Sequence, residues 1–208
     1  MNKHKVSKES VLGVINCLKN NGVAIFPTDT VYGIGAVYNN PAGIDRIYGL
    51  KHRDRNKPII ALISSIGYLD KLIDLKKENP ENILEITEKY WPGELTVVFD
   101  NSRYNVAEDN TIGVRIPGNK MLLEIIESCG GIVFTTSANL SGEKSPVKIE
   151  EIACDILEKT DFILDGGPIF NGVPSTVIKY SGGGISILRE GNIKAEEILK
   201  LFMKKGRG

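Results

Sequence analysis

Ser175-Thr176-Val177-Ile178-Lys179-Tyr180-Ser181-Gly182-Gly183-Gly184-Ile185-Ser186-Ile187-Leu188-Arg189 contains two runs rich in β-branched residues on either side of a Ser-Gly-Gly-Gly turn. Runs of that kind around so short and permissive a connection read as a β-hairpin, which pairs strands antiparallel. Upstream, apolar runs at 23–26, 59–63, 95–99, 112–116, 132–135 and 162–164 read as further strands. Between many of them lie helical patterns: 8–20 after the cap Ser7, 41–50 after Asn40 and Pro41, a segment from near Pro80 to Tyr90, 120–128, 148–159 and 194–204. Strands outnumber what βαβ alternation requires, and one neighbouring pair is antiparallel. The expected fold is therefore α/β: an open, twisted, mixed β-sheet with helices packed on it.

The chain has 208 residues, 41% of them hydrophobic and 25% charged, which fits one packed domain, expected to span 8–200 with terminal segments 1–7 and 201–208. Formal net charge is zero, which argues against broad attraction to nucleic acid or to an anionic membrane. Cys17, Cys129 and Cys154 are far apart and form no C-x-x-C pair, so neither a disulfide framework nor a zinc site is indicated. No apolar run reaches the roughly 18 residues a membrane span needs, and a cytoplasmic location is expected. With two histidines, no G-x-S-x-G and no H-E-x-x-H, His-based triads and most metal hydrolase designs are poorly supported.

What remains is an inventory of cations and neutral donors at strand ends. The strand ending at Phe26 runs into Pro27-Thr28-Asp29-Thr30-Val31-Tyr32-Gly33-Ile34-Gly35, read as a ligand-binding turn or as a turn that satisfies its own backbone. Lys51-His52-Arg53-Asp54-Arg55-Asn56-Lys57-Pro58 reads as a loop. There Lys51 and Arg53 share a face if the segment is extended, a pairing suited to phosphates, with a solvated charge run as the alternative. Arg115 and Arg189 end apolar strands and require partners, either an anion or carboxylates such as Asp29 and Glu190. The strand at 132–135 opens into Thr135-Thr136-Ser137-Ala138-Asn139-Leu140-Ser141-Gly142, with Ser145 beyond, a group of donors able to cradle phosphate without a P-loop. Such groups suit phosphoryl or adenylyl transfer by positioning and electrostatics, with magnesium.

Pro27-Thr28-Asp29-Thr30-Val31-Tyr32-Gly33, Lys51-x-Arg53, Trp91-Pro92-Gly93, Val114-Arg115-Ile116-Pro117, Ser137-Ala138-Asn139 and Ser175-Thr176 together resemble, in order and spacing, the YrdC-like threonylcarbamoyl-AMP synthase family over roughly residues 8–200. The resemblance implies a mixed sheet with a concave basic cavity. It also implies the conversion of L-threonine, bicarbonate and ATP, with magnesium, into threonylcarbamoyl-AMP and pyrophosphate. A tRNA threonylcarbamoyl transferase complex would then use that product to modify an adenosine in tRNA. By the same resemblance Thr30, Arg115, Thr135 and Ser175 match threonine-binding positions. Arg53, Lys57, Thr111, Ser137, Ser145 and Arg189 match ATP-binding positions; Lys51 and Asn139 belong to the signature, with Asn139 on the ATP side and Lys51 and Arg53 neutralising phosphate charge.

This sequence departs from the pattern in places. Leu62 stands where some relatives have histidine, Asp54 and Glu190 where proline is common, and the extra C-terminal domain of the long form is not expected. Two rival readings follow from the same resemblance: an RNA-binding module without ATP turnover, and a relative acting on another carbamoyl adenylate. Neutral charge and few aromatics near the basic loop weigh against the first, and the short chain against the second.

Overall fold

A computed structural model describes residues 3–78, 81–104 and 109–205. The expected mixed sheet is present. Ten strands lie in one sheet, β1 (Lys3–Lys5), β2 (Ala24–Pro27), β3 (Tyr32–Val37), β4 (Ile60–Ile63), β5 (Leu95–Phe99), β6 (Ile112–Arg115), β7 (Ile132–Ser137), β8 (Phe162–Asp165), β9 (Thr176–Ser181) and β10 (Gly184–Arg189). Their order is β1-β8-β2-β3-β7-β4-β6-β5-β9-β10. The β9/β10 hairpin is antiparallel, with Ser181 opposite Gly184. Gly182 and Gly183 form its two-residue turn at φ 57° and 78°, the left-handed pair that matches strand twist.

The helices are α1 (Lys8–Lys19), α2 (Pro41–Leu50), α3 (Leu69–Leu72), α4 (Leu75–Glu78), α5 (Glu81–Tyr90), α6 (Lys120–Ser128), α7 (Cys154–Glu158) and α8 (Ala195–Lys205). Ser7 and Ser10 form a capping box that starts α1, and Asn40 accepts from the Gly43 amide ahead of Pro41 to start α2. Pro80, where the sequence places the start of α5, lies outside the described residues, as do 105–108 of the polar loop at 101–110 and residues 1–2 and 206–208 of the termini.

Period-two alternation divides the buried side chains between the two sheet faces. Ile59, Ala61, Ile63, Val97, Phe99, Val114 and Ile178 turn to one face and pack with Ile83 and Ile86 of α5 and Ile198 of α8. Ala24, Phe26, Leu62, Val133 and Leu164 turn to the other, against Val14 and Leu18 of α1 and Leu122 and Ile126 of α6. On that second face β6 presents Gly113 and Arg115 rather than apolar bulk, and β5 presents the buried Thr96. The helix layer therefore gives way to a cleft at the strand ends.

Three readings are corrected. Residues 148–159 are not one helix: Ile149–Glu151 is a 3-10 turn, Ile152 is extended at φ −85° and ψ 133°, and α7 begins only at Cys154. Ile149, Ile152 and Ile156 still bury into one cluster, so helix-like apolar spacing survives the break. Residues 32–35, read as the tail of a turn, belong to β3 (Tyr32–Val37), buried along its whole length. Residues 3–5, read as a terminal segment, add β1 in parallel beside β8, where Lys3 pairs with Asp165 at 3.2 Å.

Candidate active site

Thr28 satisfies its own turn. Its Oγ1 accepts from the amides of Thr30 and Val31 and donates to the Val31 carbonyl at 2.7 Å. A hydroxyl has one proton, so in the 3.0 Å contact between Thr28 Oγ1 and Thr30 Oγ1 the donor is Thr30. Thr30 Oγ1 also accepts from Arg115 Nη1 at 3.0 Å. On β7, Thr135 gives its proton to the carbonyl of Ile34 at 2.9 Å. Thr30 and Thr135 thus face the cleft as acceptors, suited to an ammonium or hydroxyl donor on a ligand. Gly33 lies against Thr135: a Cβ there would stand 3.0 Å from Thr135 Oγ1.

Arg115, 5% exposed, is held on three sides. Nε donates to the Gly93 carbonyl at 2.8 Å, Nη1 to Thr30, and Nη2 lies 2.6 Å from Asp29 Oδ1. Asp29, the carboxylate expected as a partner for this arginine, is in place. Trp91-Pro92-Gly93 thereby acquires a function in the site, since the Gly93 carbonyl receives Arg115. Leu62 is the parallel cross-strand neighbour of Arg115, and Ile60 that of Gly113.

Arg189 is held differently from what its neighbour Glu190 suggested. Nε and Nη2 donate to the Ser175 carbonyl at 3.1 and 2.8 Å, whereas Glu190 pairs with Lys194. Arg53 likewise donates to the carbonyls of Lys57 and Pro58, both at 2.9 Å. Among the described residues neither has a carboxylate partner. Burial lowers the proton affinity of both guanidiniums, with Arg115 adding to the effect at Arg189, but arginine stays charged at neutral pH.

Lys51 and Arg53 do not share an extended face. Lys51 caps α2 in a helical conformation, and His52 at φ 49° reverses the chain. Lys51, 1% exposed, runs inward and donates to the carbonyl oxygens of Ser137 and Asn139, while its own carbonyl accepts from the Ser141 amide at 3.0 Å. Burial, then Arg53, pushes its pKa down to about 7. Asn139 donates to the carbonyls of Leu140 and Glu143. The Lys51 ammonium and the Asn139 amide nitrogen shape the 137–145 loop, while Asn139 Oδ1 is buried without a hydrogen-bond partner among the described residues.

One cleft, enclosing about 690 Å³ with its open mouth included, gathers Thr30, Arg53, Arg115, Thr135, Ser137, Ser145, Ser175 and Arg189. Lys51, Lys57, Thr111 and Asn139 are not among its lining. Lys57 is exposed; Thr111 is buried at the far end of β6 and bonds Asp109 at 2.7 Å. The lining also includes Thr28, Val31, Gly33 and Thr136, which lie within the quoted motifs without an assigned role, Leu62, noted as a departure from the pattern, and Ile60 and Pro174, which had no assigned role. Strand alternation was the available signal for Ile60 and Leu62. Among the described residues no carboxylate lines the cleft, and no group of three or more His, Cys, Asp or Glu side chains could hold a metal ion.

An open mixed sheet whose strand ends bring three arginines and several hydroxyls into one cleft defines the class: an α/β protein with a cationic, hydroxyl-lined cleft. The chain belongs to the Sua5/YciO/YrdC family, whose model, described as telomere recombination, matches residues 16–191. It is 36% identical over 186 residues to the threonylcarbamoyl-AMP synthase of Bacillus subtilis, covering 87% of this chain and 53% of that protein. It is 31% identical to a putative threonylcarbamoyl-AMP synthase of Methanocaldococcus jannaschii, covering 95% of each. The structure of Pyrococcus abyssi Sua5 complexed with L-threonine superposes with a TM-score of 0.86 at 32% identity, over 96% of this chain and 59% of that one. Escherichia coli YciO shares the fold, with a TM-score of 0.80 at 20% identity over 94% and 98% of the two chains. The chain spans about half the length of the Bacillus and Pyrococcus synthases. No described helix is long and apolar enough to cross a membrane.

Proposed function

We propose that this protein is an L-threonylcarbamoyladenylate synthase, a nucleotidyltransferase that converts L-threonine, bicarbonate and ATP into threonylcarbamoyl-AMP and pyrophosphate. The observation that carries the reading is that one cleft holds two kinds of groups: acceptor hydroxyls with a carboxylate-paired Arg115, and Arg53 and Arg189, which are held by carbonyls, with Ser137 and Ser145. The first kind suits a zwitterionic amino acid and the second a triphosphate.

In this reading Arg115 takes the threonine carboxylate, and Thr30 and Thr135 accept from its amine and hydroxyl. The amine and bicarbonate give a carbamate and water. A carbamate oxygen then attacks the α-phosphorus, the bond to the β-phosphate oxygen breaks, and pyrophosphate leaves. Arg53 and Arg189 neutralise charge on the phosphates, and Ser137 and Ser145 orient them. Because the lining lacks carboxylates, magnesium would be carried by phosphate oxygens and water rather than by side chains; it would supply charge neutralisation there. Transfer of the threonylcarbamoyl group to tRNA by a separate transferase complex belongs to the same proposal.

The test is pyrophosphate release from ATP with and without L-threonine and bicarbonate. Release that requires both supports the synthase. Release indifferent to threonine points to another acceptor, and salt-dependent RNA binding without turnover to a binding module.

A further inference from the structure

We infer that Asp29 is a positioning residue that reserves Arg115 for a zwitterionic amino acid and keeps phosphate groups out of that part of the cleft; the inference rests on the synthase reading. Asp29 sits in the turn between β2 and β3 with its side chain 16% exposed, against 6% for Arg115. Its two carboxylate oxygens have separate partners. Oδ1 lies 2.6 Å from Arg115 Nη2, and Oδ2 accepts from the Gly118 amide at 2.8 Å. Gly118 also fits closely, since a Cβ there would stand 3.1 Å from Oδ2. The acid is thus fixed by backbone on one side and faces the guanidinium on the other.

Two consequences follow. Gly93 and Thr30 fix the guanidinium by hydrogen bonds, Asp29 adds a close ion pair without an aligned hydrogen bond, and donor capacity remains on Nη1 and Nη2 for a ligand. The second consequence is electrostatic. Arg115 and Asp29 form a pair of zero net charge, while Arg53 and Arg189 are held by carbonyls and keep theirs. A polyanion therefore gains most from Arg53 and Arg189 and finds the charge of Arg115 already offset by Asp29. A neutral zwitterion, by contrast, loses little at Arg115. Without Asp29 the lining would hold three uncompensated arginines, and a pyrophosphate or triphosphate tail could engage Arg115 as well.

The experiment measures L-threonine binding calorimetrically, with and without inorganic pyrophosphate, for the unmodified protein, Asp29→Asn and Asp29→Glu, with unfolding midpoints recorded alongside. In the unmodified protein pyrophosphate should leave threonine affinity unchanged within about twofold. In Asp29→Asn it should compete, weakening threonine binding about tenfold or more at saturation, and Asp29→Glu should restore much of the independence. Competition in the unmodified protein overturns the inference even if no variant folds, and so does independence in a folded Asp29→Asn protein. Failure of the unmodified protein to bind threonine at all would instead remove the synthase reading.

Discussion

The buried ammonium of Lys51 donates to the carbonyl oxygen of Ser137, joining the end of α2 to the end of β7 across 86 positions of sequence. A second donation to Asn139 makes this lysine the pin of the loop that carries Ser137 and Ser145. Lys51→Met should leave two buried carbonyls short of a donor, at about 1–3 kcal/mol each. The pH dependence gives a sharper test. The unfolded chain keeps the lysine proton up to its ordinary value of 10.5, whereas the folded protein releases it near 7. Between those values the unfolded state binds more protons, so stability contributed through this group must rise with pH. Urea midpoints at pH 7 and 9.5 should therefore increase for the unmodified protein relative to Lys51→Met, and parallel profiles would refute this.

Two glycines on β3 should behave differently although they stand two residues apart. A Cβ at Gly35 would lie 2.8 Å from the Phe134 carbonyl oxygen, a backbone atom that cannot swing away. At Gly33 the nearest atom is Thr135 Oγ1 at 3.0 Å, facing the cleft. Gly35→Ala should cost about 1–3 kcal/mol of stability. Gly33→Ala should keep most of its stability but weaken threonine binding about tenfold by covering an acceptor. Denaturant titration and calorimetry separate the two, and equal effects of both substitutions on both measurements would contradict the assignment.

The sequence announces those parts of the fold whose local chemistry and tertiary context agree. Gly182-Gly183 can hardly be anything but the turn of a hairpin, and Asn40-Pro41 starts α2 as capping chemistry requires. It is silent where a strand is made of unusual residues. Tyr32-Gly33-Ile34-Gly35 has the composition of a loop, and it is a strand because its glycines let β2 and β7 pack closely on either side. In the site, the hydroxyls and arginines were legible as a set. Which of them face a ligand was not, because that depends on where each proton and each charge is already committed. Lys51 looks like a phosphate ligand until its carbonyl partners are seen, and Thr135 looks like a donor until Ile34 takes its proton.

Arg46 and Asp161 provide a test on the acid side. Arg46 Nη1 lies 2.7 Å from Asp161 Oδ2, which also accepts from the Val23 amide at 2.7 Å. The bond to Arg46 is the largest influence holding the Asp161 carboxyl below its ordinary value of 3.8. A depressed carboxylate contributes stability that is present above that value and lost as pH falls through the folded one. Both side chains are about 40% exposed, so the contribution should stay under about 1 kcal/mol. Arg46→Met should lower stability slightly at pH 6 and leave it nearly unchanged at pH 2.5. A larger loss at pH 2.5 than at pH 6 would run against the sign worked out here.

The division between cleft-lining and remote residues can be tested with four substitutions chosen from positions that the family resemblance alone treats alike. Arg53 and Ser137 line the cleft, whereas the side chain of Lys57 is exposed outside it and Thr111 is committed to Asp109. Arg53→Ala and Ser137→Ala each remove a preorganised donor and should lower adenylate formation on the order of a hundredfold. Lys57→Ala changes a solvated charge, and Thr111→Val removes a buried hydroxyl bond worth about 1 kcal/mol of stability. Both should retain activity within about threefold, with Thr111→Val showing its loss in the unfolding midpoint instead. Steady-state rates of pyrophosphate release at saturating L-threonine and bicarbonate measure all four. If Lys57→Ala or Thr111→Val fell as far as Arg53→Ala, the part of the cleft that grips ATP would have to extend to the end of β6 or the outer side of the 51–57 loop, and the boundary drawn from the lining would be wrong.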